Sequence, residues 1–265
     1  MSQFATYPSL RGQTVLITGG AEGIGAACVE MFWVQGSHVV FLDISETSSQ
    51  KLLDKLRATH PENTNPPPTF MRCDVTDLDA LRACAERVVA DRGAVDVLLN
   101  NAASAGARTR VPSERVTPDS WDEDVNVNLR HQFFLTQAVV PGMRAKGKGN
   151  IINMGSITWR IPATGSPVYT LCKAAVLGMT RTHSREFGPW GIRVNSVMPG
   201  AIATQRQIDE VLTPEYRAEV IAAQTVKRDL VPDEVARLIL FLAADDSSAI
   251  TGSSYVVDGG WVSDP

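Results

Sequence analysis

Short β-branched runs alternate with longer, helix-patterned stretches along this whole chain, and that alternation constrains the fold more than any other feature. Strands are expected at 14–18, 38–43, 70–73, 95–99, 150–154, 192–197 and 255–257. Helices are expected at 24–35, 46–58, 77–91, 121–144, 167–187 and 233–244, with a charged helical stretch at 205–223 that Pro214 interrupts. The second strand is apolar without a break over Val39, Val40, Phe41 and Leu42, as suits a parallel strand covered on both faces. Strand–helix alternation of this kind implies a doubly wound parallel sheet of seven strands with helices on both sides. The proline-rich segment 60–68 is too short to link domains, so the 265 residues read as one domain, 1–265.

Composition narrows the function. Lys and Arg total 25 against 29 Asp and Glu, a net charge of −4, so there is no basic stripe for a nucleic acid. No apolar run approaches the length of a membrane span, and the first eleven residues lack the layout of a secretory signal, so cytoplasm is the expected location. Cys28, Cys73, Cys84 and Cys172 form no C-x-x-C pair and read as reduced, buried thiols. His38, His60, His131 and His183 show no metal-ligand spacing, so no metal is expected.

Thr18-Gly19-Gly20-Ala21-Glu22-Gly23-Ile24-Gly25 joins the first strand to the first helix. Glycines there let a pyrophosphate approach the main chain, and the helix N-terminus meets it with free N–H groups. Asp43 ends the second strand, where a carboxylate can accept from the ribose 2′-hydroxyl of NAD and would repel the 2′-phosphate of NADP. Glu22 adds a second negative charge, so NAD is the expected cofactor.

Tyr169 and Lys173 lie four apart on a helix and so share a face. An ammonium beside a phenol favours the phenolate, which makes the pair a candidate proton shuttle, with Lys173 also able to donate to ribose hydroxyls. Ser156 follows the fifth strand, at the end where open α/β sheets bind ligands.

These residues carry a resemblance to the short-chain dehydrogenase/reductase family. It runs through Thr18 to Gly25, Asp74-Val75, Asn100-Asn101-Ala102, Val127-Asn128-Leu129, Ser156, Tyr169 with Lys173, Pro199-Gly200 with Thr204, and Thr251-Gly252 to Gly260. Together the motifs span about residues 10 to 262. One departure is Ala103, where the family usually has glycine. The resemblance implies a Rossmann fold and a catalytic set of Asn128, Ser156, Tyr169 and Lys173, with Asn128 holding a water that links Lys173 to solvent. It implies cofactor contacts from Gly19, Gly23, Ile24, Gly25, Asp43, Asp74, Val75, Asn100, Tyr169, Lys173, Pro199, Gly200, Ile202 and Thr204. It also implies a homotetramer with the helices near 121–144 and 166–187 at an interface. Trp261 either packs on its own subunit or reaches a neighbour.

Tyr7 to Leu10, Asn126 to His131, Gly155 to Trp159 and Lys227 to Pro232 are more narrowly similar to bacterial aldose 1-dehydrogenases, xylose type, which oxidise a sugar's anomeric hydroxyl to a lactone. A monosaccharide, a pentose or deoxyhexose, is therefore the expected substrate, held by Ser156, Trp159, Tyr169 and Arg206. Residues 203–227 are the expected lid. The loop 104–118 carries Arg108, Arg110 and Arg115 beside the expected mouth, where solvent-facing arginines are the simpler reading. Two alternatives stay open: a carbonyl reductase or secondary-alcohol dehydrogenase for lipophilic substrates, and a non-catalytic nucleotide-binding scaffold.

Overall fold

A computed structural model describes residues 4–104, 110–161 and 163–262. Seven strands form one parallel sheet in the order β3-β2-β1-β4-β5-β6-β7. They are β1 (Thr14–Thr18), β2 (His38–Asp43), β3 (Thr69–Arg72), β4 (Val97–Asn100), β5 (Gly149–Met154), β6 (Ile192–Pro199) and β7 (Ser254–Val257). Every residue of β1, β4 and β5 is buried, as covered parallel strands require.

The helices are α1 (Gly23–Val34), α2 (Glu46–Thr59), α3 (Leu78–Arg92), α4 (Pro118–Val125), α5 (His131–Lys146), α6 (Pro167–Phe187), α7 (Gln205–Glu210), α8 (Pro214–Ala223) and α9 (Pro232–Ala243). One apolar layer joins Val15, Ile17, Val29, Phe32, Ile239 and Leu242, so α1 and α9 cover one face of the sheet. The opposite layer joins Leu16, Leu98, Leu81, Val88, Leu135 and Val139, so α3 and α5 cover the other.

Helix starts follow local chemistry. The Asp77 carboxylate accepts from the Asp79 and Ala80 N–H groups at 3.1 and 3.0 Å to open α3. Thr117 and Ser120 form a reciprocal capping box, so the helix expected from Trp121 begins at Pro118. Thr213 caps α8 at Tyr216 with Pro214 in its first turn, so 205–223 is two short helices rather than one interrupted helix. The expected helix 121–144 also breaks at a five-residue π turn, Asn126–Arg130, between α4 and α5.

The order of strands reverses at β1, which lies between β2 and β4. A crevice opens there at the strand C-termini, and the chain segments that leave those ends line it.

Candidate active site

A cleft of about 730 Å³ runs along the C-terminal edge of the sheet. Its nucleotide half is lined by Gly19, Gly23, Ile24, Gly25, Asp43, Asp74 and Val75. Its other half holds Ser156, Tyr169, Lys173, Pro199, Gly200, Ile202, Thr204 and Arg206.

The glycine turn fits a pyrophosphate because its backbone leaves no room for side chains. A Cβ on Gly25 would lie 1.9 Å from the Gly19 carbonyl oxygen. Gly23 adopts φ of +56°, a conformation that favours glycine, and opens α1 beside Thr204. The α1 N-terminus thus faces the cleft with free N–H groups, the arrangement that binds phosphates.

Asp43 is braced at this end. Its Oδ2 accepts from the Ala21 N–H at 3.0 Å and its Oδ1 from the Ser45 N–H at 2.9 Å. Glu22 is held nearby by the Ser48 hydroxyl, which donates to Oε1 at 2.6 Å. A dinucleotide placed along the glycine turn would therefore end its adenosine ribose at a carboxylate.

Asn100 does not line the cleft. Strand side chains alternate between faces, and that of Asn100 turns inward, donating to the Asn153 side-chain oxygen at 2.8 Å and to Thr136 at 3.2 Å. Its neighbour Asn101 lines the cleft instead and donates to the carbonyls of Thr18 and Gly19 at 3.0 and 2.9 Å. The Thr18 hydroxyl in turn accepts from the Asn101 and Ala102 N–H groups. The motif was legible, and strand alternation was the signal for choosing its second asparagine. Ser45 also lines the cleft and was not singled out from the sequence, whereas Ala103, read as crowding the adenosine side, and Gln205 and Gln207, read as possible donors to a sugar, line it too.

At the other half, Ser156 follows β5 and lies close enough to the Tyr169 hydroxyl to favour its phenolate. Lys173 is buried, donates to the Met154 carbonyl at 2.9 Å and stands 5.5 Å from the Tyr169 ring centroid. Burial lowers the Lys173 ammonium to about 8. Burial also raises Tyr169 above its ordinary value, opposed by the nearby Ser156 hydroxyl and by Arg206 and Arg110. The positive charges that favour its phenolate here are those two arginines, whereas the sequence pointed to Lys173. Lys173 gives one of its N–H groups to the Met154 carbonyl and stands 5.5 Å from the Tyr169 ring centroid.

Asn128 sits in the π turn, fully buried and behind the cleft wall. Its side chain accepts from the Ser104 N–H at 3.1 Å, and donates to the Ser104 carbonyl at 2.8 Å and to Asp124 at 3.2 Å. The Gln132 amide donates to the Asn128 main-chain carbonyl at 3.0 Å. Asn128 therefore fastens the loop after β4, and Gln132 is the side chain seen at its carbonyl.

Trp159 is not among the described residues lining the cleft; its short 3₁₀ turn places the ring beside the Arg160 guanidinium, 5.9 Å from the ring centroid. Arg206, at the start of α7, does line it. Arg110 lies close enough to influence Tyr169, and Arg108 falls outside the described residues.

Comparison with known proteins agrees with this geometry. A family model described as Enoyl-(Acyl carrier protein) reductase matches residues 19–262. The D-xylose 1-dehydrogenase of Caulobacter vibrioides is 46% identical, over 97% of this chain and 98% of that one. The chain belongs to the short-chain dehydrogenase/reductase family. A second relative of this dehydrogenase, "Probable galactose dehydrogenase GalD" of Rhizobium meliloti, is 43% identical over 96% of both chains. The crystal structure of gox2181 shares its fold with a TM-score of 0.87 and 31% identity, covering 96% of this chain and 98% of that one. As a short-chain dehydrogenase the protein is an oxidoreductase that uses a nicotinamide cofactor. Among the described residues no helix is long and apolar enough to cross a membrane.

Proposed function

We propose that this dehydrogenase oxidises the anomeric hydroxyl of a monosaccharide, a pentose or deoxyhexose, to a lactone with NAD. The observation that carries the reading is the polar wall Gln205-Arg206-Gln207 lining the same cleft as Ser156 and Tyr169. A sugar needs several donors and acceptors near the reacting carbon, and this wall offers them. The similarity to relatives named for xylose and galactose supports the same substrate class.

In this reading Ser156 holds the substrate oxygen, and Tyr169 as phenolate takes the hydroxyl proton. Lys173 has N–H groups beyond the one given to Met154, and they are available to the ribose hydroxyls. Gly19, Gly23, Ile24 and Gly25 would hold the pyrophosphate; Asp43, Asp74 and Val75 the adenosine; and Pro199, Gly200, Ile202 and Thr204 the nicotinamide end. When bound, the nicotinamide supplies hydride transfer. Asp43 favours NAD because a 2′-phosphate would meet a braced carboxylate. Helices α7 and α8 form the lid of a single domain. The exposed Phe133, Phe134 and Leu171 on α5 and α6 support a homotetramer.

The test is a substrate panel of aldoses and lipophilic secondary alcohols, each with NAD and with NADP. Oxidation of an aldose at millimolar concentration with NAD preferred is expected. Turnover confined to lipophilic alcohols would replace the sugar reading, and equal efficiency with NADP would remove the cofactor preference.

A further inference from the structure

Gln132 is fully buried in the first turn of α5, and the chemistry proposed above gives it no part. Its Nε2 donates to the Asn128 main-chain carbonyl at 3.0 Å. A carbonyl only accepts, so the N–H end of the amide must face it. The other end, Oε1, is buried and has no partner among the described residues. A buried acceptor left unpaired costs free energy, so an apolar side chain would serve better if this position only filled space. The donor end is therefore the useful one.

This amide stands between a rigid body and a loop. On the rigid side, the Gln132 main-chain carbonyl accepts from Asn100 Nδ2 at 3.5 Å. Asn100 also donates to the Asn153 side-chain oxygen at 2.8 Å, and Asn153 donates to the Thr180 hydroxyl at 3.0 Å. That line ties Gln132 to β4, to β5 and to α6, the helix that carries Tyr169 and Lys173. On the loop side, Asn128 accepts from the Ser104 N–H at 3.1 Å and donates to the Ser104 carbonyl at 2.8 Å. Ala103 and Ser104 line the cleft. They follow β4, which lies between β1 and β5, so the chain enters the cleft between the glycine turn and Ser156.

Asn128 belongs to the π turn Asn126–Arg130. Such turns are rare and occur mostly as single bulges within α-helices. Relaxing this one to regular α-helix would turn residue 128 by about 100°, the rotation per residue, and take its side chain off Ser104. The Gln132 amide, bonded to the carbonyl of residue 128, opposes that rotation.

We propose that Gln132 is a positioning residue for hydride transfer. Its amide holds the π turn, keeps Asn128 on Ser104, and so fixes the stretch of cleft wall along which substrate and nicotinamide must align. The role in turnover rests on the alcohol oxidation proposed above; the brace on Ser104 does not. Rate depends steeply on alignment, and a displacement of about 1 Å set off far from the chemistry costs about 10²-fold. The carboxylate of Asp43 is braced by the Ala21 and Ser45 N–H groups instead, so the grip on the adenosine end does not depend on Gln132.

The experiment compares the parent, Gln132→Met, Asn128→Ala and the double variant on an alcohol that the parent oxidises. NADH affinity, thermal unfolding and amide exchange at Ser104 are measured on each. Gln132→Met keeps the length of the side chain and loses its donor. Its kcat should fall by about tenfold or more. Its NADH affinity should stay within about threefold of the parent's. The double variant should be no slower than the worse single variant, because both substitutions release the same loop. Parental kcat in Gln132→Met, or single losses that multiply in the double variant, would overturn the proposal. NADH affinity that falls as far as kcat would make Gln132 a general support of the fold and would overturn it too.

If Gln132→Met does not fold, Gln132→Glu decides. Burial raises a carboxyl by up to about 3–5 units, and its neutral form donates to a carbonyl whereas its ionised form does not. Its kcat relative to the parent should therefore fall as pH rises from about 6 to 9. A constant ratio over that range would overturn the proposal. A parent that oxidises no alcohol would overturn the reaction proposed above. Amide exchange would then still decide the brace, because Ser104 protection unchanged in the Gln132 variants would overturn it.

Discussion

Lys173 stands 5.5 Å over the centroid of the Tyr169 ring, with its ammonium donating to the Met154 carbonyl. The ammonium makes no hydrogen bond to the phenol oxygen. The neighbouring Ser156 hydroxyl and the charges of Arg206 and Arg110 are what favour its phenolate. Burial is the dominant influence on Tyr169, so the proton-accepting form is one the site must work to reach.

Arg206→Gln tests that balance. Removing a positive charge that lowers the Tyr169 pKa should raise it, so the rising limb of kcat/KM for oxidation should move to higher pH. The pH profile reads this directly. A limb that stays in place would mean that Arg206 does not tune Tyr169.

Asp43→Asn removes the charge at the adenosine end but keeps side-chain groups near the Ala21 and Ser45 N–H donors. The NAD over NADP ratio of kcat/KM should fall by about tenfold, chiefly through better use of NADP. An unchanged ratio would place the discrimination elsewhere.

Gly25→Ala should disable nucleotide binding. The added Cβ would sit 1.9 Å from the Gly19 carbonyl oxygen, so backbone must shift in the turn proposed to hold the pyrophosphate. Overpacking of this kind costs about 1–3 kcal/mol, and thermal unfolding with NADH titration would show both losses. An alanine variant with parental NADH affinity would remove the close-approach role.

His131 makes the fold sensitive to acid. It is fully buried in the first turn of α5, and burial, with a further push from Lys173, lowers it from 6.5 to about 3. The native state therefore binds fewer protons than the unfolded chain between those values, and stability falls as pH drops from 6.5 toward 3. Near pH 4.5 this one group should cost about 2 kcal/mol relative to neutral pH. Denaturant unfolding of the parent and of His131→Leu at both pH values checks it. The variant should lose less stability on acidification, and equal losses would refute the assignment.

Much of this was legible because the strands carry short apolar cores, such as Val15-Leu16-Ile17 in β1 and Val39 to Leu42 in β2, that covered parallel strands require. The glycine turn was legible because phosphate binding needs missing side chains, which a sequence states openly. The π turn at Asn126–Arg130 was not, since a shift in backbone hydrogen bonding leaves no mark on side-chain pattern. Asn100, the last residue of β4, and Asn101, just beyond it, were separable only by which way each side chain turns.

The most direct measurement compares NADH formation from D-xylose and a deoxyhexose, 6-deoxy-D-galactose, with NAD, in the parent and in Tyr169→Phe. The parent should turn over at least one of these sugars. The variant should lose kcat by about 10³-fold while still binding NADH, because it lacks only the group that takes the proton. Sugar oxidation undiminished in Tyr169→Phe, or absent from the parent while it oxidises other alcohols, would contradict the proposed chemistry.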